Sequence, residues 1–123
     1  MKIAIYGRTL NPKTSGEAIQ LLFRKLENSR VDVLVYEPFT KHLEGLVKVD
    51  KKKIFTSHQD IIKEKVKFLF SIGGDGTLLE TVTLIRDSNI PVMGINTGRL
   101  GFLSSVSQDE IESAVDAIIN KKY

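Results

Sequence analysis

The 123-residue chain contains no cysteine, which removes disulfides, thiolate metal ligands and thiol nucleophiles, and agrees with a reducing compartment. Any chemistry must come from oxygen and nitrogen groups. No stretch reaches the roughly 18 apolar residues that span a bilayer, and Met1-Lys2-Ile3-Ala4-Ile5-Tyr6 opens without a signal-peptide pattern. The expectation is a cytoplasmic protein away from membranes. Charge of one sign is little concentrated: the net value is +3, spread out apart from Lys51-Lys52-Lys53, which reads as a solvated turn. The aromatics lie mostly inside apolar runs rather than among basic residues, so no nucleic-acid footprint is expected. Repeats and low-complexity linkers are also missing.

Hydrophobic residues make up 41% and charged residues 27%, which is ordinary globular composition. At this length one domain with a real core fits and a second does not. Lys2 to Tyr6 is a short β-branched run closed by Gly7, read as a buried parallel strand. Thr14 or Ser15 is placed to N-cap a helix through Ala18, Ile19, Leu22, Phe23 and Leu26, ending near Asn28-Ser29. Val31 to Tyr36 reads as a second strand. Beyond Pro38 the pattern weakens to a short helix around Phe39 to Leu46 and a lysine-rich turn before Ile54-Phe55. Ser57-His58-Gln59-Asp60 has capping-box spacing ahead of a short helix, and Val66 to Ile72 is the next strand. Leu78, Leu79, Val82, Leu84 and Ile85 predict one helix that stops before Asn89-Ile90-Pro91. Val92 to Ile95 makes another strand, and Ser107 with Glu110 predicts a cap for a last helix carrying Ile111, Ala114, Val115, Ile118 and Ile119. Alternating strands and helices specify an α/β fold: three layers, a mostly parallel sheet and helices on both faces. Ligands in such sheets bind beyond the carboxyl ends of the strands, which here carry Gly7, Gly73-Gly74 and Asn96.

Gly73-Gly74-Asp75-Gly76-Thr77 joins an apolar strand directly to an apolar-periodic segment. Glycines let backbone N–H groups approach phosphate oxygens at a helix start, and Thr77 suits the N-cap or first turn. A carboxylate in such a cradle repels the ligand unless it contacts a metal ion or accepts a proton from an attacking hydroxyl, and Asp75 could do either. The plain alternative is a tight turn in which Asp75 caps the helix. Neither a P-loop nor a G-x-G-x-x-G after the first strand is present. A second turn, Asn96-Thr97-Gly98-Arg99-Leu100-Gly101-Phe102-Leu103, should lie beside the first. There Asn96 can bond a ribose or adenine edge. Arg99 suits a phosphate or a surface salt bridge, and Phe102 a base or the core. His42 and His58 have no acid at metal spacing, and neither is assigned to a metal.

Taken together, Gly7-Arg8, Gly73 to Thr77 and Gly94 to Leu103 resemble the N-terminal domain of the NAD kinase family. Gly73 to Thr77 is shared with diacylglycerol and sphingosine kinases and, more loosely, with phosphofructokinases; the Asn96 to Leu103 pattern selects the family. The resemblance implies phosphate transfer from ATP or polyphosphate, with a divalent metal such as Mg²⁺, to the 2′-hydroxyl of the adenosine ribose of NAD, giving NADP. It makes Asp75 the catalytic base, Gly73 and Gly74 the phosphate-side backbone, Gly76 a dinucleotide contact and Phe102 the aromatic against the nicotinamide-bearing substrate. Ser104-Ser105 departs from the threonine and aspartate frequent there. It also implies that residues 1–123 are the N-terminal α/β domain of a longer, homo-oligomeric protein. The β-rich C-terminal domain of that protein lies outside this sequence, and the 123 residues alone should be inactive. A lipid kinase and a non-catalytic nucleotide-binding module are the alternatives.

Overall fold

Strands form where apolar residues run without polar alternation, because a parallel sheet covered on both faces offers no solvated side. The computed structural model describes residues 1–10, 12–96 and 110–120. In chain order it shows β1 (Lys2–Gly7), α1 (Pro12–Asn28), β2 (Asp32–Tyr36), a 3₁₀ turn over Glu37–Phe39, α2 (Thr40–Leu43), β3 (Ile54–Phe55), α3 (His58–Lys63), β4 (Phe68–Gly73), α4 (Asp75–Glu80), α5 (Val82–Ile85), β5 (Val92–Asn96) and α6 (Ile111–Ile119). The described strands make one sheet of five, ordered β3-β2-β1-β4-β5, with every pairing parallel.

Strand β1 lies at the centre, and Ile3, Ala4, Ile5 and Tyr6 are all buried. Ile3 and Ile5 pack on one face with Ile19, Leu22 and Leu26 of α1 and Ile111, Val115 and Ile118 of α6. Ala4 and Tyr6 face the other way, toward Ile61 of α3 and Leu84 of α5. This is the expected three-layer α/β arrangement with helices on both faces. Each fully buried side chain of this kind contributes about 1.5–3 kcal/mol of transfer free energy.

Several local expectations change. Helix α1 begins at Pro12 rather than after a Thr14 or Ser15 cap; proline's fixed φ suits a first turn, where its missing N–H costs nothing. The segment after Pro38 splits into the 3₁₀ turn and α2, which ends at Leu43 ahead of Gly45 at φ +82°. Ile54-Phe55 is an edge strand, with Val35 opposite Ile54 and Tyr36 opposite Phe55. Two residues are too few to show a period. The helix expected through Ile85 breaks at Thr81, which is buried and donates its hydroxyl to the Leu78 carbonyl at 2.6 Å, a back-bond that bends helices. Of its apolar residues only Leu84 is buried, while Leu79 and Val82 are 59% and 57% exposed. The cap of α3 forms as expected, with Ser57 accepting from the Asp60 amide. Asp60 in turn accepts from the Thr56 amide and hydroxyl at 2.9 and 3.0 Å. Helix α6 follows Glu110; the expected cap residue Ser107 lies outside the described residues.

Gly7 closes β1 against a full interior. A Cβ there would sit 2.7 Å from the ring of Phe39, which is wholly buried. Gly7→Ala is therefore expected to destabilise by about 1–3 kcal/mol through overpacking. The check is a urea unfolding midpoint that falls with unchanged slope.

Candidate functional site

The sheet's connectivity reverses at β1: β2 and β3 build outward on one side, and β4 and β5 on the other. Loops leaving β1 and β4 therefore part in opposite directions and open a crevice at their carboxyl ends. The register sets Gly7 level with Ile72 and Gly73 level with Asn96. The strand ends at Gly7, Gly73 and Asn96 share one edge, as expected; the remainder of the second turn, from Thr97 to Leu103, lies outside the described residues.

Gly73 ends β4 at φ +144°, a conformation that side chains of L-residues rarely adopt. A Cβ there would also lie 2.7 Å from Thr77 Oγ1, because Thr77 folds back from the first turn of α4 onto the end of the strand. Thr77 is thus a first-turn residue and not the N-cap. Gly74 takes the N-cap position in extended conformation, with no side-chain cap, and its carbonyl accepts from the Leu78 amide at 3.1 Å. Among the described residues, a Cβ on Gly74 or Gly76 would meet nothing within 4 Å. Packing does not require these two glycines, and Gly76 inside a helix costs up to about 1 kcal/mol relative to alanine. The space beside both glycines is open among the described residues. Asp75, the first residue of α4, is half-buried between them.

A second set of groups at this edge was not legible from spacing. Glu80, the last residue of α4, accepts a hydrogen bond from Tyr6 Oη at 3.0 Å and pairs with Arg8 Nε at 3.2 Å, both through Oε2. This ties the carboxyl end of β1 to the helix that Asp75 begins. Tyr6 also stacks obliquely on Tyr36 at 4.6 Å, and Tyr36 on Phe55 at 5.5 Å, forming an aromatic row across β1, β2 and β3. The only sequence signal was that Tyr6 and Arg8 flank the strand-closing Gly7. His58 donates from Nδ1 to the Leu84 carbonyl at 2.6 Å and joins α3 to α5.

Burial, then donation to Glu80 and the charge of that carboxylate, push the Tyr6 phenol from 10.0 up to about 12. The fold favours the neutral phenol, so this stability is complete below pH 10.0 and is lost as pH climbs toward about 12. Tyr6→Phe is expected to remove the latest of the tyrosinate absorbance transitions and to flatten the alkaline fall in stability. A late transition that survives in the variant would contradict this assignment.

A cavity of about 760 Å³ opens elsewhere, between α1, the start of β2 and residues 46–50. It is lined by charges of both signs, among them Arg24, Glu27, Lys48 and Asp50, and shares no residue with the Gly73 turn. The residues singled out for chemistry lie instead at the reversal point, on the β4–α4 turn and the end of β5.

Residues 4–123 match the family model described as ATP-NAD kinase N-terminal domain. The chain belongs to the ATP-NAD kinase N-terminal domain family. Relatives named NAD kinase include those of Flavobacterium psychrophilum, 41% identical over 124 residues, and Christiangramia forsetii, 37% identical over 123 residues; each alignment covers 100% of this chain and 42% of the relative. The NAD kinase of Cytophaga hutchinsonii is 38% identical over 125 residues, again with 42% of the relative covered. The chain therefore spans well under half the length of these relatives. Of the residues singled out for this family member, Gly73, Gly74, Asp75, Gly76 and Thr77 come together on the β4–α4 turn, and Asn96 ends β5 beside them. Arg99 and Phe102 lie outside the described residues. Among the described residues no helix is long and apolar enough to cross a membrane.

Proposed function

We propose that this segment is the part of an NAD kinase that carries its catalytic carboxylate and phosphate cradle. The observation that carries the reading is the Gly73 to Thr77 turn. It sits at the sheet's reversal point, with a carboxylate between two glycines whose Cβ positions are open. In the proposed reaction the 2′-hydroxyl oxygen of the adenosine ribose of NAD bonds to the terminal phosphorus of ATP or polyphosphate as the bond from that phosphorus to its bridging oxygen breaks. Asp75 accepts the hydroxyl proton, and the shortened donor leaves with the bridging oxygen. Gly73, Gly74 and Thr77 border the phosphates. Gly76, Asn96 and Phe102 serve the dinucleotide, and Arg99 serves a phosphate.

Phosphoryl transfer relies on positioning and charge neutralisation. A Mg²⁺ ion would arrive largely with the donor's own phosphates and keep several of its waters. Asp75 serves as the base, and no cluster of three or more His, Asp or Glu among the described residues forms an all-protein cage. Bound there, the ion would neutralise charge on the transferred group. The reading extends to a cytoplasmic, homo-oligomeric protein in which a β-rich domain completes the NAD pocket.

The test is to incubate the intact protein with ATP, Mg²⁺ and NAD and follow NADP with an NADP-specific dehydrogenase. NADP formation supports the reading; phosphorylation of a diacylglycerol or sphingoid base instead of NAD overturns it.

A further inference from the structure

We propose that Arg8 is a ligand for the phosphate chain of the donor, held in place by Glu80. Arg8 follows Gly7 directly, and Gly7 is level with Ile72, the residue before Gly73. Its backbone thus leaves the sheet on the same rim as the glycine turn. Its guanidinium meets Glu80 through Nε at 3.2 Å, and the side chain remains 63% exposed. An arginine carries five N–H donors in a planar fork, so this single attachment orients the group and leaves donors for an anion.

Helix geometry says where such an anion would lie. Gly76 and Glu80 are four residues apart in α4, hence on one face, about 6 Å apart along the axis. The Arg8–Glu80 pair therefore stands one turn beyond Gly76 on that face. A Cβ at Gly76 would meet nothing within 4 Å among the described residues. A phosphate chain approaching that glycine would therefore meet the Arg8 cation one helical turn further on.

An exposed ion pair contributes little to stability, so a purely structural role would need little precision. Glu80 is nevertheless fixed from its other side by the hydroxyl of buried Tyr6, on the same oxygen that meets Arg8. Fixing the carboxylate restricts the arginine's rotamers before any ligand arrives, which lowers the ordering cost of binding. Glu80 is a positioning residue in this scheme, and Arg8 makes the contact.

The inference rests on the proposed function only in taking the anion to be the donor's phosphate chain. Its test has a readout independent of NAD. Binding of inorganic tripolyphosphate to the intact protein is measured by calorimetry for wild type, Arg8→Gln and Arg8→Lys, together with KM for ATP and for NAD. Loss of one charge-assisted contact predicts about tenfold weaker tripolyphosphate binding and a similar rise in the KM of ATP for Arg8→Gln. The KM of NAD should be unchanged. Arg8→Lys, which keeps the charge and folds if Arg8→Gln does not, should recover part of the binding. Unchanged tripolyphosphate affinity in both variants overturns the proposal, as does a rise confined to the KM of NAD. Wild-type protein that fails to phosphorylate NAD while Arg8→Gln still loses tripolyphosphate would sink the proposed function and leave this inference standing.

Discussion

Asp75→Asn in the intact protein is expected to lower kcat by roughly 10²–10⁴-fold, the usual contribution of a positioned general base. Asparagine preserves the shape of the side chain at the head of α4 but cannot accept a proton from the ribose hydroxyl. Because the site is half-buried and the substitution is nearly isosteric, the unfolding midpoint should stay close to wild type. The KM of NAD should move far less than kcat, the pattern for an interaction made mainly in the transition state. Near-normal turnover would instead favour a nucleotide-binding module in which Asp75 only shapes the turn. A fall in kcat with a matching fall in stability would point to a cap.

Gly73→Ala carries the second large effect, and the contrast with Gly76→Ala makes it informative. At Gly73 the backbone stands at φ +144°, and a methyl group would press to 2.7 Å on Thr77 Oγ1 and 3.0 Å on Thr77 Cβ. Strain and overpacking together should cost about 3 kcal/mol. Relief of the clash displaces Thr77 and with it the first turn that holds Asp75, so activity should collapse along with stability. At Gly76 a Cβ meets nothing among the described residues, and alanine should hold or raise stability by up to about 1 kcal/mol through helix propensity. Activity should still fall, since the methyl occupies the space offered to the ligand. Urea midpoints and NADP formation measured on both variants separate the two roles. Equal loss of stability in both, or full activity in Gly76→Ala, would contradict this division.

Much of the architecture was legible because periodicity reports burial directly. The unbroken apolar run in β1 betrays a strand covered on both faces, and Ile111, Ala114, Val115 and Ile118 recur at helical spacing because one side of α6 meets the core. The capping box at Ser57 was legible for a similar reason, since its bonds join residues close in sequence. What escaped had no local signature. Strand β3 is defined by its partners Val35 and Tyr36 rather than by a pattern of its own. The break at Thr81 depends on one hydroxyl turning inward to a carbonyl, a choice that residue identity leaves open.

The candidate site divides along the same line. The β4–α4 turn could be read from its letters, because glycine and aspartate between a strand and a helix restrict backbone and charge within five consecutive residues. Sequence alone determined the α/β class, the carboxylate in a glycine cradle and the family resemblance, all of which rest on neighbours along the chain. The tertiary structure decided which groups surround that cradle. Tyr6 and Glu80 are 74 positions apart, and only the placement of β4 beside β1 brings the phenol, the carboxylate and Arg8 to one rim. Strand order in a parallel sheet is set by crossover packing over long separations, and no local pattern encodes it.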